Sequence, residues 1–425
     1  MPRRSRLPVP VLAVVAASTM DSLGASVVSL AVIWLLTGLT HSAGAIGLFF
    51  MIVELPYLLL LVPAGIWADR TNRRRLAQLV LALRILATLA IAWLAHLHQV
   101  AWYAITLAVV VQESMSAVLQ PAFGAWLFGM TSPEDFAVLS GWQQAGSHLA
   151  NLLGPTFGGI LVAVAGIPGT IAAGAVAGVA KWLGIAMNRR PERPRTNVPD
   201  SSDSGFLAGW RFLRQNPGML GMVLFFSATN GLNDVEAVLV PLLARLVLHL
   251  AAWQFGLLAT AFGVGGMAGS WYGVRLDARG VRHLRRAFAA MVVFGLAIIA
   301  MGFALTAWWL GLSYFVLGLS FAVAEVVTNA LWQRAVPDEV RGRVMSTMST
   351  LARTANPIGY VLAGWLGAVV GIRAGLWFGG GAIVLLTVIM MLSRRVRVFE
   401  LSLAPAALAG AGSPQDLSAL PPPPR

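Results

Sequence analysis

Ten ionisable side chains, Asp21, Glu54, Arg84, Glu113, His148, Lys181, Asp234, Glu236, Glu325 and Arg353, lie inside otherwise apolar runs of this sequence. A charge in an apolar medium must be paired, hydrated or neutralised by a proton, so each is either a structural partner or a place where a proton or polar ligand is handled. The carboxylates suit proton uptake and release. His148 has the chemistry of a relay, and Arg353 can either pair with Glu325 or hold an anionic group, with a buried structural ion pair as the equal alternative. Arg84 and Lys181 either snorkel or pair with Glu54 and Glu236, for which a structural role is as good a reading as a functional one. The chain contains no cysteine, which excludes disulfides, thiolate metal sites and cysteine nucleophiles. No cluster of nucleophile, metal ligands or acid and base stands out, so neither an enzyme nor a resident cofactor or metal is expected.

The elements that carry these residues are membrane helices. A hydrophobic fraction of 58% with only 11% charged residues, gathered in long runs, is the composition of a polytopic membrane protein. A span needs about 20 apolar residues to cross a ~30 Å hydrocarbon core, and these runs are too uniformly apolar for barrel strands. Twelve spans are read: 9–38, 44–67, 76–97, 100–126, 138–165, 167–187, 218–247, 253–276, 286–306, 308–332, 343–370 and 373–393. The expected fold is all-α, with an N-terminal six-helix bundle (1–187), a cytoplasmic linker ending in an interfacial helix (188–217), a C-terminal six-helix bundle (218–393) and a disordered cytoplasmic tail (394–425). In the linker, Phe206, Leu207, Trp210 and Leu213 fall on one side of a short helix.

The net charge of +13 does not indicate nucleic acid, because the basic residues alternate from loop to loop. They gather at Arg3, Arg4 and Arg6, at Arg70 to Arg75, Arg189 to Arg214, Arg275 to Arg286 and Arg334 to Arg343, and at Arg394, Arg395 and Arg397. The opposite loops hold chiefly Arg245 and Arg373. This asymmetry places both termini in the cytoplasm and gives the basic loops anionic lipid as a neighbour. With 29 Arg against one Lys, and abundant Ala and Gly, a GC-rich bacterial source and hence a bacterial plasma (inner) membrane is expected.

Helical spacing arranges polar residues in stripes. Ser18, Ser22, Ser26 and Ser29 run along the first span with Asp21 at their edge, and Gln112, Ser116 and Gln120 run along the fourth beside Glu113. The seventh span has Ser227, Asn230 and Asp234 on one side with Glu236 nearly opposite, and the tenth has Glu325, Thr328, Asn329 and Trp332. The fifth span carries Gln144, His148 and Asn151; the eleventh carries Ser349, Arg353, Asn356 and Tyr360. Such stripes either line a wet cavity or hydrogen-bond helix to helix, and the carboxylates favour the cavity.

The charged loop Gly65-Ile66-Trp67-Ala68-Asp69-Arg70-Thr71-Asn72-Arg73-Arg74-Arg75 recurs in weaker form at Gly273 to Arg282, where Asp277 stands 208 residues after Asp69. Its Gly is expected to let two helices approach closely. Likewise His148 to Gly159 lies over Arg353 to Gly364 with Asn356 standing 205 residues after Asn151. The first loop resembles the loop between helices two and three of major facilitator superfamily transporters, with Gly65, Asp69, Arg70, Arg73 and Arg74 matching and Asn72 in place of Gly. That departure is mild, since Asn also tolerates a left-handed backbone. The run Gly154-Pro155-Thr156-Phe157-Gly158-Gly159 resembles the motif of that superfamily's proton-driven antiporters, with ordinary small-residue packing as the alternative. Gln120 to Phe123 and Gln333 to Val344 resemble its macrolide and siderophore exporter branch.

The resemblance implies two pseudo-symmetric six-helix bundles with a midplane substrate cavity lined by helices one, four, seven and ten, on which Asp21, Glu113, Asp234, Glu236 and Glu325 all fall. The site residues expected there are Asp21, Ser22, Gln112, Glu113, Ser116, His148, Asn151, Asn230, Asp234, Glu325, Asn329 and Arg353. A conformational-switch loop is expected at Gly65, Asp69, Arg70, Arg73, Arg74 and Asp277, and the antiporter motif at Gly154, Pro155, Gly158 and Gly159. The family's usual Arg in helix four is missing, since Val109 to Glu113 occupies that region. The implied activity is export of a small amphipathic compound, of drug, antibiotic or siderophore type, by a monomer that exchanges it for protons among membrane lipids and binds no nucleic acid. A proton symporter, a lipid-type transporter and a non-transporting sensor are the alternatives. Six in-span carboxylates against three basic residues lean toward neutral or cationic compounds.

Overall fold

The structure is a computed structural model that describes residues 7–97, 100–188, 190, 202–277 and 283–393. The basic residues at positions 3 to 6, most of the linker's first half, residues 278–282 and the tail from 394 lie outside the described residues. The chain is helical almost throughout: α1 (Val9–Thr40), α2 (Ala43–Arg70), α3 (Arg73–His96), α4 (Trp102–Gly129), α5 (Phe136–Met187), α6 (Ser202–Gln215), α7 (Pro217–Leu242), α8 (Ala252–Asp277), α9 (His283–Gly302), α10 (Ala307–Ala335), α11 (Asp338–Thr354), α12 (Asn356–Val369) and α13 (Ile372–Leu392). A short 3-10 turn (Pro133–Asp135) precedes α5 and a π turn (Leu243–Val247) extends α7.

Two departures from regular helix have identifiable causes. Residues 138–187 form one element, interrupted at Gly166, whose φ of 70° and ψ of 174° are open to glycine and strained for other residues. The eleventh span, expected as one helix, is two. Pro357 has no N–H to return to the Arg353 carbonyl, and the helix breaks at Ala355.

Among the described residues, eight segments are long and apolar enough to cross a membrane by length and composition. Large apolar side chains cover the outside as well, with Val164 81%, Leu59 72% and Trp308 90% exposed, a surface that suits hydrocarbon rather than water. This is a membrane-embedded protein.

Buried side chains of α1 to α5 form two apolar clusters, one around Trp126 and Leu127, the other around Ile91, Ile105 and Ile171. A third, around Phe225, Phe288 and Phe294, is built almost wholly from residues beyond Leu213. The two groups of helices meet where α5 packs on α8 and where α2 packs on α12. Both meetings are close backbone contacts. A Cβ on Gly159 would strike Ala252 and Trp253, and one on Gly256 would strike the Pro155 carbonyl. At the other contact, Gly47 faces the Tyr360 carbonyl and Gly364. Arg245 adds a third tie, donating to the Trp34 carbonyl and lying 5.0 Å over its ring, while Trp34 stacks on Phe255 at 5.5 Å. These ties lie at the end of the molecule where α2 and α8 begin. The charged loop at Asp69 lies at the other.

Helix α6 covers the linker's second half. It docks through Gly209 and the fully buried Leu213, with Gly209 seated on the Arg343 carbonyl and Thr347 of α11, while Leu207 stays 60% exposed.

Candidate functional site

Asp21 is the most heavily engaged of the in-span carboxylates. Only 3% exposed on α1, it accepts from the Arg84 guanidinium of α3 on Oδ1 and from Lys181 Nζ of α5 on Oδ2 at 3.0 Å. Lys181 Nζ also lies 4.3 Å from the centroid of the Phe123 ring of α4. Four helices are thus tied by one carboxylate carrying two cations, and Glu113, on α4, has Arg84 and Glu54 as its charged neighbours. The expectation that Arg84 and Lys181 snorkel or serve Glu54 and Glu236 is corrected: both serve Asp21. Glu236 instead accepts from the Tyr314 hydroxyl of α10.

Asp234 stands in the opposite condition. It is 6% exposed, its Oδ2 is buried without a hydrogen-bond partner, and Gly359 of α12 is pressed against that oxygen. The charged and polar groups around it are Glu54 of α2, Glu236 of α7 and Tyr360 of α12. Tyr360 in turn stacks on Phe50 of α2 at 5.1 Å and has Arg353 among its neighbours. Asp234 therefore sits where α2, α7 and α12 meet.

The stripes divide. Ser22 and Ser116 turn back to the Ser18 and Gln112 carbonyls of their own helices, and Gln112 is 7% exposed. His148 and Asn151 are exposed on α5. Asn230 reaches the Ala352 carbonyl at 3.5 Å, and Ser227 the Leu351 carbonyl at 2.7 Å, so the α7 stripe ties to the end of α11. Arg353 lies 5.2 Å over the Tyr57 ring of α2, whose hydroxyl donates to Gln120 Oε1 of α4 at 3.2 Å. The pairing of Arg353 with Glu325 is not among the three ion pairs of the described residues.

Glu325 and Asn329 are instead exposed on α10, where they line a cavity of about 270 Å³ between α7, α9, α10 and α11. Of its aromatic and methionine walls, only Trp332 belongs to a stripe read from the sequence. Such residues read in sequence as ordinary core, and only the fold gathers them around the carboxylate.

In the charged loop, Asp69 accepts from Arg73 Nη2 at 3.0 Å, and Arg74 donates to the Ile185 and Ala186 carbonyls at 3.2 and 2.7 Å, closing the end of α5. Two expectations fail here. A Cβ at Gly65 would meet nothing within 4 Å, so no helix approaches closely at that glycine. Asn72 has φ of −71°, not a left-handed backbone, and its Oδ1 caps α3 by accepting from the Arg75 N–H at 3.0 Å. Asp277 ends α8, and its side chain lies outside the described residues. Of the antiporter-like run, Gly154 and Gly158 pack on Ser26 and Val27 of α1, whereas Gly159 packs on α8.

This arrangement can be set beside known proteins. Residues 14–355 match the Major Facilitator Superfamily. The chain belongs to that superfamily. It is therefore a transporter by family and not an enzyme. It is 25% identical over 415 residues to the multidrug efflux pump Tap of Mycolicibacterium fortuitum, covering 93% of this chain and 98% of that one. The multidrug efflux pump Tap of Mycobacterium tuberculosis is 28% identical, covering 94% and 96%. The enterobactin exporter EntS of Citrobacter koseri is 25% identical over 83% and 84% of the two chains. Among solved structures, a bacterial homologue of the iron transporter ferroportin in the inward-facing state superposes with a TM-score of 0.74 at 14% identity, over 91% of this chain and 99% of that one. That likeness speaks for the fold alone.

Proposed function

We propose that this transporter exports a small amphipathic compound across a bacterial plasma membrane in exchange for protons, by alternating access between two pseudo-symmetric six-helix bundles. The observation that carries the reading is the full-length likeness to efflux pumps of the same superfamily, and the buried Asp234 carboxylate at the junction of the halves, with only Glu54 and Glu236 as charged neighbours, fits it. Twelve spans follow if α5 is counted as two across Gly166 and α11 with α12 as one. With the basic loops in the cytoplasm, the ties at Gly159, Gly47 and Arg245 close the outer end, and the cavity faces inward. The Asp69 loop would form contacts across the cytoplasmic gap in the other state. The working unit is a monomer among lipids, with both termini cytoplasmic.

Of Asp21, Glu113 and Asp234, the geometry favours Asp234 over Asp21 as the proton carrier. Asp21 is already engaged by two cations, whereas Asp234 has a buried oxygen with no partner and lies where movement of α12 against α2 would change its surroundings. A proton taken up from outside and released inward would carry charge along the membrane potential, worth about 2.3 kcal/mol per 100 mV. In proteoliposomes with a trapped pH dye, Asp234→Asn is expected to slow substrate-dependent proton movement by about tenfold or more. Unchanged coupling in that variant would move the proton to Glu113, while substrate flux with no proton movement in the parent would remove antiport altogether.

A further inference from the structure

The outer end is fastened at one point by a cation that has no anion. Residues 22–53 and 237–276, which hold the facing ends of α1, α2, α7 and α8, contain no Asp or Glu. Arg245 is nevertheless half-buried there, and it belongs to none of the three ion pairs of the described residues. Its guanidinium is seated on a carbonyl, a ring and a gap. It donates to the Trp34 carbonyl, lies 5.0 Å from the centroid of the Trp34 ring, and fills the space that a Cβ on Gly38 would need. Trp34 is 7% exposed and stacks in turn on Phe255 of α8. The seat therefore joins α1 of one half to α7 and α8 of the other.

Two further features show that the seat is built. Arg245 lies within the π turn, where the Leu248 N–H donates to the Leu243 carbonyl at 2.9 Å, and the wider turn sets the direction in which Arg245 leaves α7. The second feature comes from the repeat. Arg245 stands 208 residues after Thr37, the interval that separates Asp277 from Asp69, and Thr37 Oγ1 donates to the same Trp34 carbonyl at 2.9 Å. Four residues beyond each come His41 and His249, which at φ of 49° and 52° are the two non-glycine residues with a left-handed backbone among those described. Corresponding positions of the repeat thus converge on one acceptor. The seat lies where the halves meet, and the outer end cannot open without emptying it.

We propose that Arg245 is the latch of the outer end: seated on Trp34 it weights the chain toward the state in which that end is closed, and leaving the seat is a required step of each opening. A guanidinium suits the task, because it can lie flat on a ring while an edge N–H reaches a carbonyl, which a compact ammonium cannot do at once. Since the acceptor is a carbonyl, there is no carboxylate here for a proton to discharge. The assignment takes from the exporter reading only which end faces outward.

The test places a single thiol by Ala252→Cys in this cysteine-free chain, at a position 6% exposed in the α5–α8 contact of the same end. In proteoliposomes, its rate of alkylation by a charged, membrane-impermeant maleimide reads how often the outer end opens. That rate is expected to rise by about tenfold or more in Arg245→Gln, the worth of a hydrogen bond from a charged donor. It should rise likewise in Gly38→Ala, whose Cβ forces the guanidinium aside, and stay well above the parent in Arg245→Lys. Gly38→Ala combined with Arg245→Gln should be no faster than Arg245→Gln alone, because both empty one seat. Arg373→Gln is the control: this outer arginine donates at 3.0 Å to the Gly302 carbonyl within one half, so its loss should leave the rate within about twofold of the parent. An unchanged rate in Arg245→Gln, or an equal rise in Arg373→Gln, overturns the proposal. Circular dichroism and the thermal midpoint check that each variant folds as the parent does; if Arg245→Gln does not, Gly38→Ala is read in its place. Alkylation only from the cytoplasmic side, with the variant pattern intact, would overturn the assignment of the outer end and leave the latch standing. Alkylation from outside at one rate in every variant would do the reverse.

Discussion

Replacing Asp21 with Asn is expected to destabilise the purified protein by about 3–5 kcal/mol, the cost of stranding a buried partner charge. Asp21 is the sole carboxylate in direct ion pairs with Arg84 and Lys181 among the described residues, and all three side chains are at most 12% exposed. Its loss leaves two cations in an apolar interior, with Glu113 still a charged neighbour of Arg84. The control is Lys181→Met. There Arg84 and Asp21 remain as a matched pair, and the new thioether can lie on the Phe123 ring that Lys181 now covers. The Met variant should therefore be far closer to the parent in thermal midpoint than the Asn variant. Equal losses in both, or a parent-like midpoint for Asp21→Asn, would mean that the triad is not what holds α1, α3 and α5 together.

Gly159→Val is expected to abolish flux while leaving the helices folded. Its side chain would be driven into the backbone of Ala252 and Trp253 across the α5–α8 contact, and backbone cannot step aside as a rotamer can. Overpacking of that kind costs about 1–3 kcal/mol, enough to shift a two-state equilibrium by roughly 5- to 150-fold toward the state in which the contact is open. Because the chain has no cysteine, spin labels can be placed at Thr71→Cys and Gln333→Cys without first removing native thiols. The distance between them should shorten in Gly159→Val as the Asp69 end closes. An unchanged distance with intact flux would show that the contact does not govern the transition.

Much of the fold was legible because membrane helices announce themselves by length and apolarity. The break at Gly166 coincides with the boundary read between the fifth and sixth spans, and the ionisable residues were all visible as interruptions of apolar runs. What spacing along one helix cannot reveal is the partner on another. Asp21 meets Arg84 across 63 residues and Lys181 across 160, and neither interval follows from any helical period. The same limit hid most of the wall of the cavity at Glu325, whose rings arrive from α7, α9 and α10. Two residues in the charged loop were misjudged for a different reason. Gly65 and Asn72 were given the backbone roles that their types most often play, while the chain uses Asn72 for its side-chain oxygen and leaves Gly65 uncrowded. Pro357 was in plain view, but whether a proline bends a membrane helix or breaks it is decided by its neighbours.

The glycines that seat one half on the other work in facing couples: Gly159 rests on Ala252 and Trp253 while Gly256 rests on Pro155, and Gly47 and Gly364 rest on each other. Neither member of a couple has slack that the other could absorb. In the sequence history of such a chain these positions are therefore not free to drift one at a time. A larger residue at one should be seen only together with a shift of helix register or a smaller neighbour opposite, so across diverging relatives the two contacts should vary as linked pairs. Ser22 and Ser116, which turn back to carbonyls of their own helices, carry no such bond and should diversify independently.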